Sequence, residues 1–510
     1  MAMYWKKVAM ILALCEVLGG CGQQLPTPVG EPSAPVSGET AQGTEETTPG
    51  AEDAAPGAEG ETTPPPEEEK PEPTLVAQVT ETAAAAGTLT RRAYDLANGD
   101  TVELLSLEAQ GPTTAGAAVY TTTIPSDSVL RLCKADGSGW QETTAAPGTY
   151  QTSLLMVDSG EAGSFMAYIP QGWEEKENDC RRYLGIGAVV VTTAENGGYT
   201  LTLTAPALST GNTAECMLAQ SSEALVDWDQ KGVPSLWATY TNLGDGRWCY
   251  DGYYWIAYSN YIPTGPNVYF QMTAAYLCRS MLAMAPYNRL ADDLAPCMMD
   301  VMAQRQNKYG YFPTSAGSEW LLGDYGIGAG FYDTRFNTDL MMMFLDAWER
   351  YQFPQFLETA QTYADFFTSY VQNHSRTTAG GGLFVDDYYH PDGNLPTHTS
   401  LNHQIAQNIL VYRLGTTLNR PDLTALGDRM LLAVTDTEQS WIRPDSSLHY
   451  AIYSNGRFGG SDYPYLTYND LYDMQAYLTE NRGSRNESLD RLMASKKAWM
   501  DANGVTQYKK

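Results

Sequence analysis

Several side chains in the second half of this chain have the types and spacing to do chemistry. Carboxylates occur in close pairs, Asp333 with Asp339 and Asp386 with Asp387. Two carboxyls about 5–10 Å apart across a groove would suit glycoside hydrolysis, a distance that sequence spacing does not measure. His390, His398, His403 and His449 follow no HExxH pattern, which favours capping or surface histidines over a metal site. Tyr450 and Tyr468 stand eighteen residues apart, and Gln475 follows seven later. A phenol titrates near about 10 and is a poor base at neutral pH unless cations lower that value. From spacing alone, both also fit core positions among the 34 tyrosines of the chain. The glycine-rich run Gly323-Asp-Tyr-Gly-Ile-Gly-Ala-Gly lacks the preceding strand and the lysine of a phosphate loop, so it reads as a turn or a close backbone approach.

The elements that must hold these residues are helical. Leu340, Met343, Phe344, Ala347, Trp348 and Tyr351 recur at helical spacing, with Asn337 placed to cap them. Pro354 can open the next helix, whose apolar face is Phe356, Leu357, Ala360, Tyr363, Ala364 and Phe367. Further helices are expected near 268–285, 290–304, 401–414, 423–436, 466–480 and 487–502. Short connections between them predict antiparallel hairpins, and a ring of such hairpins is an (α/α) toroid. Residues 75–225 instead read as strands. The runs Tyr183–Thr193 and Tyr199–Thr204 flank Glu195-Asn-Gly-Gly, a hairpin signal because Asn-Gly accepts positive φ. A β-sandwich there would bind glycan or serve as a plain spacer. The aromatic cluster Trp237, Tyr240, Trp248, Tyr250, Tyr253, Tyr254, Trp255 and Tyr258 fits either a sugar-stacking groove or a packed domain junction.

Three ordered blocks in residues 330–480 resemble the C-terminal helical domain of D-glucuronyl C5-epimerases. They are Gly330-Phe-Tyr-Asp, which continues without a gap through Phe356-Leu and Ala364; Pro396-Thr-His-Thr-Ser-Leu-Asn; and the segment holding Leu448-His-Tyr-Ala-Ile-Tyr and Leu466-Thr-Tyr-Asn-Asp-Leu-Tyr-Asp-Met-Gln. The resemblance implies that Tyr450 and Tyr468 sit at a uronate C5 carbon, followed by Gln475. Because a tyrosine base needs cations close by, Arg457, Arg335 and Arg443, in or beside these blocks, are the candidates to supply the charge. Tyr332, Asn402 and Gln475 within the blocks, and Tyr389 from the loop before the second, complete the expected substrate-binding set with Arg335 and Arg443. Removing a proton α to a carboxylate creates a dianionic enolate, which needs positive charge or strong donors around it. One group must take the proton and another return one from the opposite face. The chain departs from the family pattern at Asn394-Leu395, where an acidic residue and a tyrosine are expected, and at Tyr465 and Asn469, where arginine and histidine are expected.

The first 21 residues look like a bacterial lipoprotein signal: Lys6 and Lys7, a short apolar run from Val8 to Leu14, then Leu18-Gly-Gly-Cys21. Glu16 interrupts the run well before the roughly 20 apolar residues a membrane helix needs. Lipid on Cys21 would anchor the protein outside the cytoplasm, and the alternative, an ordinary signal peptide cut near Gly20, would export it without the anchor. From Gln23 to Thr74 the chain carries twelve acidic residues, one lysine and eleven prolines with no aromatic, so it is expected to be a disordered tether. The formal charge of −29 with no basic stripe makes nucleic acid an unsuitable partner. Cys133, Cys180, Cys216, Cys249, Cys278 and Cys297 lack a CxxC pair, and fit disulfides or buried thiols.

The expected organisation is therefore α+β and multidomain: signal and lipobox at 1–21, tether at 22–74, a β-sandwich-like domain at 75–225 and an (α/α) toroid-like domain at 226–505. The expected function is a membrane-anchored, uronate C5-epimerase-like enzyme acting on an extracellular uronate-containing polysaccharide. A uronate lyase, or a non-catalytic glycan-binding envelope lipoprotein, is the alternative. No cofactor is implied, and a structural calcium ion is compatible with the sequence.

Overall fold

The strands of the N-terminal half carry apolar side chains on both faces, and the fold buries both. In Leu154–Asp158, Leu155 and Val157 join one core cluster while Leu154 and Met156 join another. Thr101–Ala109 alternates in the same way, with Leu105 and Leu107 against Val102 and Leu104. The first cluster lies toward a four-stranded sheet in the order Ala118–Ile124, Tyr199–Thr204, Ala188–Thr193, Gly148–Tyr150. The second contains residues of the helical region. A large antiparallel sheet of thirteen strands thus forms the middle layer, with Thr213–Ser221 pairing three neighbours. A computed structural model describes residues 73–510 apart from 135–136, 196, 241–245, 249–253, 257–260, 264 and 275. Cys21, the lipobox and residues 22–72 of the expected tether lie outside the described residues, as do Cys249, Tyr250, Tyr253 and Tyr258.

Ala188–Thr193 and Tyr199–Thr204 form the expected hairpin, with Thr193 opposite Tyr199. The apolar run before it does not make one strand. Arg181–Ile186 belongs to the large sheet and Ala188–Thr193 to the small one. Glycine permits the crossing: Gly185 has φ 130°, and a Cβ on Gly187 would stand 1.6 Å from the Thr204 carbonyl oxygen.

Among the described residues the helices are α1 Val233–Tyr240, α2 Tyr276–Met284, α3 Arg289–Ala303, α4 Glu319–Tyr325, α5 Thr334–Tyr351, α6 Pro354–Asn373, α7 Leu401–Thr417, α8 Pro421–Asp436, α9 Glu438–Trp441, α10 Leu466–Arg482 and α11 Glu487–Ala502. Pro354 opens α6 at its first turn, as its fixed φ allows. The cap of α5 is Asp333, one turn earlier than the Asn337 expected from the sequence. Asn337 is buried within that first turn. Its side chain donates to the Phe312 and Asp333 carbonyls and accepts from Phe312 N–H, fastening the helix to the preceding loop. Four hairpins, α2/α3, α5/α6, α7/α8 and α10/α11, pack in two rows, with contacts running α2 to α5 to α7 to α10 along the inner one. These contacts trace an arc of helical hairpins.

Sheet and helices share one core that contains Tyr94, Leu104, Met156, Trp173 and Met217 together with Leu290, Met299, Phe344 and Phe367. Leu225 and Val226, at the expected domain boundary, belong to it, and the strands Gly246–Trp248, Tyr254–Ile256 and Val268–Gln271 extend the large sheet beyond that boundary. Polar bonds fix α3 to the sheet: Tyr94 Oη donates to Asp300 at 2.9 Å, and Arg289 clasps Asp100 at 2.5 and 2.9 Å. Trp237 and Trp255 of the aromatic cluster are core residues. Cys133, Cys180, Cys216, Cys278 and Cys297 are buried free thiols.

Candidate functional site

Two short ladders bring the starts of α5 and α7 together. Tyr332–Asp333 pairs with Tyr388–Tyr389, and Thr399–Ser400 pairs with Ala451 and Ile452. Asp333 caps α5 by accepting from Arg335 N–H at 2.8 Å and Phe336 N–H at 3.0 Å. Ser400 begins α7 and turns its hydroxyl away from its own helix, donating 2.6 Å to Asp387 Oδ2. Its N–H reaches both oxygens of the same carboxyl at 3.0 and 3.1 Å. The positive end of α7 therefore points at Asp387.

Two histidines flank this carboxyl. His398 Nε2 lies 3.3 Å from Asp387 Oδ2, and His398 Nδ1 lies 2.8 Å from Tyr325 Oη. His403 Nδ1 lies 3.5 Å from the same Oδ2 and 2.8 Å from Thr334 Oγ1. Asp387 and His398 are each 1% exposed and His403 6%, so charge here is costly. Burial, followed by the Arg376 charge, lowers His398 to about 3. Burial, with Arg335 and His398 adding to it, takes His403 well below its usual range. Both imidazoles are neutral at pH 7. Burial also lifts Asp387 well above the carboxylate range against the pull of the Ser400 donors, and raises Asp333 to about 7. Tyr450 is pushed up by burial and then by Tyr463 and Asp387, so its phenol keeps its proton.

An aromatic bowl surrounds His398. Ring centres of Trp320, Tyr325, Tyr388, Tyr450 and Tyr453 lie 5.9, 5.8, 5.7, 5.5 and 6.0 Å from it. Trp320, Tyr325, Tyr450 and Tyr453 are only half-buried, which gives the bowl a solvent side. The Arg376 guanidinium clamps the loop that carries Asp387, bonding Asp386 at 2.5 Å, the Thr397 carbonyl at 2.8 Å and Thr399 Oγ1 at 2.8 Å. Neutral imidazoles, a buried carboxyl that accepts from Ser400 and several phenols place proton donors and acceptors side by side in one water-poor cluster.

The sequence-derived residues distribute unevenly around this cluster. Tyr450 stands in it. Tyr468 is a core residue of α10, its ring 5.2 Å from Tyr508 and edge-on, with Lys497 and Asp501 as its charged neighbours. None of these borders Tyr450, so the structure does not bring the two tyrosines together. Gln475 joins α10 to the start of α11, bonding Asn486 O at 2.7 Å, Asn486 N–H at 2.9 Å and Asp490 at 2.8 Å. Arg335 is held by Asp470 at 2.8 and 3.2 Å and by Asp339 at 3.1 and 3.2 Å. Tyr332 is buried with its Oη 2.8 Å from Tyr363 Oη. Tyr389 is half-buried beside the His374 ring at 4.7 Å. Asn402 is buried in the first turn of α7, with no hydrogen-bond partner for its Oδ1 among the described residues. Arg443 bonds the Gly460 carbonyl and Ser461, and Arg457 is exposed in the turn between the strands His449–Ile452 and Phe458–Ser461.

His398 and His403 correct the expectation of capping or surface histidines, because the ladders drive them into the core beside Asp387. His390 does tie its own loop to the Ala329 carbonyl at 3.1 Å. Among the described residues no group of three His, Cys, Asp or Glu side chains is placed to hold a metal ion. Sequence reasoning missed Tyr325, Trp320, Arg376, Ser400 and Tyr453. Ser400 and Tyr453 lie inside quoted blocks and Tyr325 inside the glycine-rich run, but nothing in those runs marked them as site residues.

No family model matches the chain, and no curated protein matches it. Solved structures with some likeness include D-mannose isomerase, at 12% identity over 47% of this chain and 63% of that one, TM-score 0.37. Cellobiose 2-epimerase from Bacillus thermoamylovorans B4167 gives 12% identity over 45% and 60%, TM-score 0.35. A family 76 glycoside hydrolase from a bovine Bacteroides thetaiotaomicron strain gives 9% identity over 84% and 78%, TM-score 0.37. The chain spans about three fifths of the length of the first two. At scores this low the likenesses fix neither the fold nor the activity of this chain.

Proposed function

We propose that this protein is a carbohydrate-active enzyme that moves a proton at a sugar carbon, and that the carbon is C5 of a uronate within an extracellular polysaccharide. The observation that carries the reading is the convergence of Tyr450 with Asp387, His398 and Ser400 at the starts of two inner helices, inside a bowl of half-buried aromatic rings. Aromatic rings stack on sugar faces and exclude water, and the cluster beneath supplies both a proton donor and a proton acceptor. Tyr450, protonated at neutral pH, returns a proton to the carbanion. The Asp387–His398 pair receives the one removed. Lipid on Cys21 would keep the enzyme at the outer face of a membrane, where such polymers are met.

Uronate lyase chemistry shares the same carbanion and differs only in loss of the C4 substituent. Incubation with polyglucuronate, polygalacturonate and alginate in D2O separates the two. Deuterium at C5 without new ultraviolet absorbance means epimerisation, and new absorbance means elimination. A second reading, a non-catalytic glycan-binding lipoprotein, is favoured by the placement of Tyr468 and Gln475 in packing roles and by the engagement of Arg335 with Asp339 and Asp470. Retention on a glycan array without exchange or absorbance on any of these polymers would establish it and end the enzymatic proposal.

A further inference from the structure

We propose that Tyr325 is the second proton-carrying tyrosine of the site, coupled to the buried His398–Asp387 pair, and that it fills the role the sequence suggested for Tyr468. This rests on the proton-transfer reading of the bowl. Three observations lead to it. Tyr325 ends α4, and Gly326 follows in the left-handed region at φ 71°, so the helix stops there and leaves the ring at the mouth of the bowl. The Tyr325 hydroxyl is 2.8 Å from His398 Nδ1, while the other ring nitrogen faces Asp387 Oδ2 at 3.3 Å. That Nε2 is fully buried, and its contact with the carboxyl is too poorly aligned to count as a formed hydrogen bond. A hydroxyl, an imidazole and a carboxyl in this order make the general arrangement by which a weak acid is turned into a base. Contacts that are loose in a free enzyme tighten when substrate closes the site.

The arrangement answers a difficulty that Tyr450 alone leaves. Burial keeps the Tyr325 phenol protonated, so it does not enter the reaction as a phenolate. It has no need to. As the substrate C–H bond breaks, its proton forms a new O–H bond on Tyr325 while the original phenolic proton passes to His398 Nδ1. The C–H electron pair remains on the sugar as the enolate. His398 becomes a cation facing Asp387, and no phenolate forms at Tyr325. Tyr450, on the strand His449–Ile452, reaches the same imidazole from a different element and delivers its own proton to the opposite face of the sugar. The cycle closes when His398 releases its proton to water and Tyr450 recovers one.

The test uses the full chain with polyglucuronate, polygalacturonate and alginate in D2O, together with Tyr325→Phe and, as a fold control remote from the bowl, Tyr477→Phe. Deuterium entry at C5 is expected to fall at least about a hundredfold in Tyr325→Phe, with a cooperative unfolding transition kept. Full exchange by Tyr325→Phe overturns the proposal. Nitrogen-15 spectra of the imidazoles, tractable with only five histidines, give a readout without substrate. The His398 Nδ1 resonance should move in Tyr325→Phe and stay in Tyr477→Phe. If the wild type exchanges none of the three polymers, the uronate reading has failed and these spectra decide alone: a moved resonance supports the coupling of Tyr325 to His398, and an unmoved one overturns it.

Discussion

Replacing Lys496 with methionine tests how the loop beside Tyr450 is held. Lys496 is fully buried on α11, and its ammonium lies 2.6 Å from Asp462 Oδ2 and donates 2.7 Å to the Tyr463 carbonyl. Asp462 also accepts from Thr467 Oγ1 at 2.5 Å. The loop so fixed carries Tyr463, whose ring stands edge-on to Tyr450 at 5.8 Å. Methionine fills similar space but leaves the Asp462 carboxyl, 1% exposed, without its cation. Burial already pushes that carboxyl upward while Lys496 draws it down. Breaking a buried pair from one side costs about 3–5 kcal/mol, a large share of the roughly 5–15 kcal/mol that holds a typical domain together. Urea unfolding of Lys496→Met should show that loss. Lys496→Met with Asp462→Leu should recover most of it, because both desolvation penalties disappear together. A single-variant cost below about 1 kcal/mol would refute the reasoning and mean that water or another group replaces the ammonium.

The pH dependence of stability should carry the mark of Asp333. Its carboxyl is raised to about 7 by burial, so between the ordinary carboxylate range near about 4 and pH 7 the folded state binds a proton that the unfolded state has lost. Stability contributed by this group therefore falls as pH rises through that window, and Asp333→Asn should flatten the slope of unfolding free energy between pH 5 and pH 7. Gly187→Ala should cost about 3 kcal/mol or more in denaturant unfolding, since the added methyl must displace the Thr204 backbone where the chain changes sheets. Cys21→Ser should move the protein from washed membranes to the soluble fraction, because a lipid at that residue is the proposed anchor.

Much of the architecture was legible in local pattern. Asn-Gly between two β-branched runs gave the hairpin of the small sheet, and Pro354 after an amphipathic stretch gave the start of α6. The sheet change at Gly187 was not legible, since it depends on the Thr204 carbonyl, seventeen residues away in sequence. The site was read less well, for a related reason. Asp387 meets Ser400 only because a loop clamped by Arg376 folds back on itself, and Asp333 meets Tyr388 only through a two-residue ladder. Neither relation leaves a periodic trace. Tyr468 illustrates the opposite fault. It lies in phase with Leu471, Gln475 and Leu478, all buried in α10, and helical arithmetic alone places it on a packed face. Tyr450 has no such phase, as it sits on a short strand between the bowl and the loop of Tyr463.

The most direct test of the account is deuterium exchange by Tyr450→Phe. The ring and its contact with His398 stay, and only the hydroxyl is lost. On a uronate polymer that the wild type labels at C5, the variant should lose at least about a hundredfold in rate while polymer binding is largely kept, as expected of a group that acts only in proton transfer. Exchange at the wild-type rate would contradict the account and remove Tyr450 from the chemistry.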